Sequence, residues 1–207
     1  MSTTPTDHVA AVILAAGMAT RFRAADPAST SKVLAQLDGK PLLRHVVDAA
    51  LASRARPVIV VTGHAQAEVA AALAGLDVIV AHNGDYASGL ASSLKRGLTA
   101  IPEECSGFVV LLGDMPRVSA TIIDRLIAAL ETKAQALAVV PTFNGQRANP
   151  VVIARAAFPL LAGIEGDQGA RKVLQAAGDQ VIELPIDDEA VTTDIDTPDA
   201  LRALKGG

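Results

Sequence analysis

Short apolar, β-branched runs alternate with Ala/Leu-rich stretches through the first two thirds of the chain. Val9-Ala-Ala-Val-Ile-Leu-Ala15 has no polar position, as expected of a strand covered on both faces, and it runs into a loop at Gly17. Pro41 then opens a helix to about Ser53, because a proline in the first turn lacks only an N–H that has no partner there. Pro57-Val-Ile-Val-Val-Thr62 predicts a second strand, followed by an Ala-rich helix to about Ala74. Val78-Ile-Val-Ala81 predicts a third strand, Ser88 to about Ile101 a third helix, and Phe108-Val-Val-Leu-Leu112 a fourth strand leading into Gly113-Asp114-Met115-Pro116. Ser119 is suited to cap a helix through Leu130.

The pattern changes after about residue 137. Leu137-Ala-Val-Val-Pro141, the turn-forming Asn144-Gly145 and Pro150-Val-Val-Ile153 predict strands joined by a loop, as in a β-ribbon. A helix from about Asp167 to Ala177 follows, then a strand at Val181 to Leu184 and a last helix beginning at Thr197-Pro198. The expected fold class is α/β: a three-layer α/β/α, Rossmann-like, mostly parallel sheet with a small β-ribbon/helix portion. A single domain is expected over residues 1–207, with one half at about 9–135 and another at about 136–207. Ligands of such sheets sit beyond the C-terminal ends of the strands, which directs attention to the loops after the first and fourth strands.

Composition narrows the function classes. Half of the 207 residues are hydrophobic and only 2% are aromatic, with no tryptophan. An aliphatic core is therefore available, while a stacking platform for single-stranded nucleic acid is not expected. The net charge of −4 gives no bulk attraction to phosphate backbones, so nucleic acid is not an expected partner and any anion site must be local. Cys105 is the sole cysteine, which rules out an intrachain disulfide and suits a reducing compartment. Glu103 and Glu104 beside it disfavour a nucleophilic thiolate. The polar start, Met1 to His8, lacks the pattern of a signal peptide, and no apolar run approaches the roughly 20 residues of a membrane span. A cytoplasmic protein with no membrane partner is expected.

Four stretches carry candidate chemistry. In Leu14-Ala15-Ala16-Gly17, small residues directly after a buried strand let a ligand approach the backbone, whose turn N–H groups can hold phosphate oxygens. Arg21 and Lys32 would neutralise a triphosphate; the bland alternative is a tight turn with two solvated basic residues. Neither the P-loop nor the dinucleotide-binding glycine pattern is present. Asp114 ends an apolar strand, where a carboxylate is costly to bury unless a positive group meets it. Mg²⁺ beside a triphosphate suits it, since the ion takes carboxylate and phosphate oxygens together; otherwise Asp114 caps a turn ahead of Pro116. Asp194 and Asp196 are two apart and face one side of an extended segment, so either completes a metal site. Asp196 is equally placed to start the helix at Thr197-Pro198. In Gly166-Asp167-Gln168-Gly169-Ala170-Arg171, free N–H groups at a helix start and Arg171 suit a second anion. The alternative there is Asp167 as an ordinary N-cap with an exposed Arg171. His8, His45, His64 and His82 show no metal-ligand spacing, and Ser31, Ser92 and Ser93 lack the Gly-x-Ser-x-Gly setting of a hydrolase nucleophile.

With Gly39-Lys-Pro-Leu-Leu43 added, these residues resemble nucleotidyltransferases of the sugar-nucleotide-synthase fold. Asn83-x-x-Tyr86-x-x-Gly89-x-x-x-Ser93-Leu94, Asn149-Pro150-Val151, the 166–171 stretch and Asp194-Ile-Asp-Thr-Pro198 make the chain most similar to molybdenum cofactor cytidylyltransferases, which are related to the guanylyltransferases. The resemblance runs from about Val12 to Leu204. It implies CTP or another NTP, a phosphorylated pterin (molybdopterin-type) acceptor, Mg²⁺, release of pyrophosphate and a client molybdoenzyme as a further partner. By the same resemblance, Leu14, Ala15, Ala16, Gly17, Gly89 and Ser93 would hold the nucleotide in the 9–135 half, with Arg21 and Lys32 on its phosphates. Asp114 would bind Mg²⁺ with Asp196 or Asp194 as second carboxylate, and Arg147, Asn149, Asp167, Gly169 and Arg171 would serve the acceptor in the 136–207 half.

Cytidylyl members tend to have Ala-Ala-Gly in the loop, so the Ala16 methyl favours CTP over a purine nucleotide. One spacing departs from the family pattern: Arg21-Phe22-Arg23 and then Ala24 to Ser31 precede Lys32, a longer stretch than usual. It is expected to form a mobile flap, tolerable because loop-closure cost grows slowly with length, and it leaves open whether Arg21, Arg23 or both meet the triphosphate. The alternatives are guanylyl transfer to the same cofactor, or nucleotidyl transfer to a sugar phosphate, an isoprenoid-precursor phosphate or phospholactate. A non-catalytic cofactor-binding chaperone is the alternative from another class, although a pure binder needs no metal carboxylate.

Overall fold

The structure, a computed structural model, describes residues 8–26, 30–167 and 169–205. The chain runs β1 (Val9–Ala15), α1 (Thr20–Ala25), a small hairpin of β2 (Gln36–Leu37) and β3 (Lys40–Pro41), α2 (Leu42–Ala52), β4 (Val58–Thr62) and α3 (Gln66–Ala72). It continues through β5 (Ile79–His82), α4 (Leu90–Leu98), β6 (Gly107–Leu112) and α5 (Ala120–Glu131). The remainder comprises β7 (Ala138–Phe143), β8 (Gln146–Arg147), β9 (Val151–Ala154), α6 (Phe158–Ala162), α7 (Arg171–Ala177), β10 (Val181–Pro185) and α8 (Pro198–Lys205).

The main sheet has the order β10-β7-β9-β6-β1-β4-β5, with β8 hanging off β7. Pairing is parallel throughout β6-β1-β4-β5 and between β10 and β7, and antiparallel only where β9 meets β6 and β7 and where β8 meets β7. This is the three-layer, mostly parallel α/β architecture expected. All seven residues of β1 are buried, and their alternation divides them between two cores. Val9, Ala11, Ile13 and Ala15 pack with α2 and α5, through residues such as Leu43, Val46, Ile123 and Leu126. Ala10, Val12 and Leu14 pack on the other face with Leu94 of α4, Leu161 of α6 and Leu174 of α7. Burial of one such Leu or Ile contributes on the order of 1.5–3 kcal/mol, so the position of β1, and of the loop it carries, is strongly determined. A third cluster, Phe22, Leu37, Leu42, Ile195 and Leu201, ties α1 and the small hairpin to α8.

Local signals act largely as read. Ser119 Oγ accepts from the Ile122 N–H at 3.3 Å at the start of α5. Asn144 and Gly145 both take positive φ, 49° and 75°, as a tight turn between β7 and β8 requires. The Arg56 guanidinium gathers carbonyls of Ala50, Leu51 and Ser53 at the end of α2, where helix carbonyls lack partners.

Two expectations are corrected. The strand at 151–154 does not form a ribbon with its predecessor alone; it lies in the main sheet between β6 and β7. The helix expected from Asp167 begins at Arg171, because Gly166 and Gly169 take positive φ of 58° and 50° and the Asp167 side chain is engaged by α4. Helix α1, anchored by the buried Phe22, runs into the start of the stretch expected to be a flap; residues 27–29 of that stretch lie outside the described residues. No helix among the described residues is long and apolar enough to cross a membrane.

Candidate functional site

A cleft of about 550 Å³ opens at the C-terminal ends of β1 and β6. Its walls are residues 14–22 and 86–90, with Lys32, Ser93, Asp114, Asp167 and Asp196. Gly113 brings the two strand ends together: its N–H donates to the Leu14 carbonyl at 3.0 Å, and a Cβ there would already lie 3.0 Å from that same oxygen.

The strand-end carboxylate does meet a positive group. Lys32 Nζ lies 2.5 Å from Asp114 Oδ2 and 2.7 Å from Asp196 Oδ1, and Arg21 Nη2 lies 2.8 Å from Asp196 Oδ2. The Arg21 side chain is 76% exposed, so its pair contributes at most about 1 kcal/mol. Lys32 is only 18% exposed, and two carboxylates share its charge, so that only the loss of both would leave it buried and unpaired. Burial lowers the Lys32 pKa, but contact with Asp114 and then Asp196 outweighs it, and the ammonium is held above its usual value. The hydrogen bond from Lys32 leads the causes that hold the Asp196 carboxyl below the usual range. Asp194 is pushed the other way, first by burial and then by the charges of Asp196 and Asp114.

Carboxylate oxygens of Asp114, Asp194 and Asp196 all lie within 4.8 Å of one another. Hard, closely spaced oxygen donors with mutual repulsion fit a divalent cation such as Mg²⁺ or Mn²⁺. The backbone sets this spacing, since the Ile195 N–H donates to the Asp114 carbonyl at 3.0 Å. At the start of α8 it is the Thr197 hydroxyl that accepts, from the Ala200 N–H at 3.2 Å. Both Asp196 oxygens go to Lys32 and Arg21 instead.

The glycine loop presents backbone. Gly17 is exposed, with open space where a Cβ would stand. Ala16 is only 3% exposed, and its methyl faces Gly63, where an added Cβ would come within 2.8 Å of it. Across the cleft, the buried Asn83 organises the wall: its Nδ2 donates to Ser92 Oγ at 2.9 Å and Ser93 Oγ at 3.0 Å, while its Oδ1 accepts from the Asp85 N–H at 3.0 Å. Tyr86 packs against His64, whose Nε2 lies 3.3 Å from Arg23 Nη1. Arg21 thus faces the carboxylates and Arg23 faces His64.

Of the residues expected on resemblance to meet an acceptor, Asp167 lines the cleft, while Arg147, Asn149, Gly169 and Arg171 are not part of its wall. Arg147 pairs with Glu183 at 2.8 Å, and the Asn149 N–H donates to the Val191 carbonyl at 3.0 Å. Gly169 sits against Leu90, and Arg171 is the exposed first residue of α7. Asp194 stands beside the cleft rather than in its wall. Sequence reasoning missed Met18 and Ser88 as wall residues and Asn83 as organiser, although the Asn83…Ser93 spacing carried the signal for the last.

Curated relatives with the name bifunctional protein GlmU match part of the chain. The one from Sorangium cellulosum is 37% identical over 137 residues, which is 63% of this chain and 28% of the relative. The one from Leifsonia xyli subsp. xyli is 29% identical over 174 residues, 83% of this chain and 35% of the relative. The chain therefore spans only a minor part of the length of these curated relatives. Among solved structures, Rv0371c from Mycobacterium tuberculosis H37Rv aligns with TM-score 0.83 at 27% identity, covering 97% of this chain and 98% of that one. Its complex with manganese aligns with TM-score 0.78 at 28% identity, covering 97% and 99%. A nucleotidyl transferase from Methanothermobacter, at 22% identity and TM-score 0.83 over 97% of both chains, shares the fold. Residues 11–181 match the MobA-like NTP transferase domain, and the chain belongs to that family.

Proposed function

We propose that this chain is a Mg²⁺-dependent nucleotidyltransferase that moves CMP from CTP to the terminal phosphate of a molybdopterin-type cofactor and releases pyrophosphate. The observation that carries the reading is the convergence of Lys32, Arg21 and the carboxylates of Asp114, Asp194 and Asp196 beside an exposed glycine-loop backbone. Family membership supports the nucleotide; the pterin acceptor, and a client molybdoenzyme for the product, rest on the resemblance of the 83–94, 149–151, 166–171 and 194–198 motifs.

The acceptor phosphate oxygen attacks the α-phosphorus in line, the bond to pyrophosphate breaks, and a phosphoanhydride forms. The attacking group is already an anion, so alignment and charge neutralisation suffice and no strong general base is required. Asp114, with Asp196 or Asp194, would hold Mg²⁺, which would supply charge neutralisation for the phosphates when bound. Backbone N–H groups of residues 15–17 hold phosphate oxygens, while Lys32 and Arg21 draw charge toward the leaving pyrophosphate. Asn83 keeps Ser93 and the Gly89 turn in place around the nucleoside. Ala16 lines the cleft, and its methyl fills space beside Gly63 that a glycine would leave open, which favours the smaller base of CTP.

Pyrophosphate release measured over CTP and GTP, each with molybdopterin, a sugar phosphate, an isoprenoid-precursor phosphate and phospholactate, tests the reading. The expected outcome is fastest turnover with CTP and molybdopterin. Preference for GTP would move the chain to guanylyl transfer, and turnover only with another phosphate would replace the acceptor. Tight binding of the cofactor without pyrophosphate release from any pair would make the chain a binding protein.

A further inference from the structure

The 166–169 stretch belongs to the second half of the chain, yet its contacts run to the turn at Gly89. The Leu90 N–H donates to Asp167 Oδ1 at 3.1 Å, and the Ala91 N–H donates to the Gly166 carbonyl at 2.9 Å. These are the first two N–H groups of α4, and its own N-cap residue, Gly89, has no side chain to offer them. The approach is close: a Cβ on Gly89 would lie 2.5 Å from the Gly166 carbonyl carbon and 2.9 Å from Asp167 Oδ1. A Cβ on Gly169 would lie 2.8 Å from Leu90 Cδ2. Gly89 also takes φ of 107°, a backbone state that other residues rarely adopt. Asn83 fixes the start of α4 from within through Ser92 and Ser93, and Asp167 fixes it from outside.

We infer that Asp167 is a positioning residue for the nucleotide wall, acting through the Leu90 N–H, rather than a ligand of the acceptor. The inference rests on the nucleotidyltransferase reading and deepens it. The Asp167 carboxylate holds residues 86–90 in one arrangement, and nucleotide affinity scales with the fraction of molecules in which that arrangement is present. Nucleotide binding thereby depends on the second half of the chain before any acceptor arrives.

The test is calorimetric titration of the full chain with Mg·CTP and with Mg·GTP, without acceptor, for wild type, Asp167→Ala and Asp167→Asn. Loss of a helix-start acceptor group in Asp167→Ala is expected to raise the nucleotide Kd about 5- to 10-fold. Asp167→Asn, whose amide oxygen still accepts from the Leu90 N–H, is expected to stay within about 2-fold of wild type, since the lost charge adds only a minor term. With both substrates saturating, kcat of each variant is expected to remain near wild type, because the group touches no reacting atom. If both variants bind nucleotide as wild type does and only the acceptor KM rises, Asp167 is an acceptor ligand and the inference falls. If Asp167→Asn fails as badly as Asp167→Ala, the charge itself contacts ligand and the inference also falls. Wild type that binds neither nucleotide would overturn the functional reading and this inference with it, which separates the two failures. Hydrogen exchange of the Leu90 and Ala91 amides in wild type covers an Asp167→Ala that does not fold. Protection without nucleotide is expected; amides that exchange freely until Mg·CTP is added would overturn the proposal.

Discussion

At the glycine-loop end of the cleft, Lys32 pairs with Asp114 and Asp196, Arg21 pairs with Asp196, and Asp194 adds a third carboxylate within 4.8 Å of the other two, the spacing being held by buried strands and the Ile195–Asp114 hydrogen bond. Arg147, Asn149 and Arg171 are carried otherwise, by a two-residue strand, the residue ahead of Pro150 and the first residue of a seven-residue helix. The ion pair of Arg147 with Glu183 is half exposed on both sides. Mutual repulsion among carboxylates is tolerable only where geometry and countercharge are provided in advance, so the first region has to be rigid. Residues outside such a cluster have no such requirement, and short elements are sufficient to carry them.

Asp114→Asn should expose the contrast most sharply. The substitution keeps shape and leaves Lys32 its contact with Asp196, so folding is expected to survive. Pyrophosphate release at saturating Mg²⁺ should fall at least about 100-fold, a loss of about 2.7 kcal/mol in transition-state stabilisation. Activity within a few-fold of wild type would reduce Asp114 to an anchor for Lys32. Ala16→Gly should act more weakly, because the methyl it removes is small and almost fully buried beside Gly63. Relative kcat/KM for GTP over CTP is expected to rise about 10-fold, the low end of a pocket-size effect. No change in that ratio would remove Ala16 from the determinants of base choice. Arg147→Ala should change least: a stability cost below about 1 kcal/mol in thermal unfolding, as for other exposed pairs, and an unchanged Kd for Mg·CTP. A weakened nucleotide Kd would break the comparison, since it would place an edge residue in the service of the rigid end.

The same division governs what was legible beforehand. Strands such as Val9–Ala15 could be read to the residue because a run without polar positions has few other fates. Ser119 and the Asn144-Gly145 turn act through neighbours in sequence and were equally readable. Partner choice over distance was not. Nothing in the local pattern directs Val151–Ala154 between β6 and β7. Nothing near Asp167 shows that its carboxylate serves a helix 77 residues away in sequence, and so the helix expected to start there begins later. Lys32 and Asp196, 164 residues apart, were singled out separately for their chemistry, but that they touch is a product of the fold. The second metal carboxylate stayed ambiguous for a related reason. Asp194 and Asp196 share one short segment, yet opposite surroundings push their carboxyls in opposite directions.

The placement of β9 has a consequence for building chimaeras from relatives of this chain. It is the antiparallel strand through which β6, from the end that carries Asp114, is joined to β7. A crossover at about residue 135 would therefore exchange a strand from the middle of the sheet, not a detachable lobe. Any mismatch there leaves the apolar β6 segment Gly107–Val110 with an open edge, and an exposed apolar edge recruits other chains. A chimaera is accordingly better built by grafting a surface turn such as the one between β7 and β8 onto an intact sheet than by swapping halves.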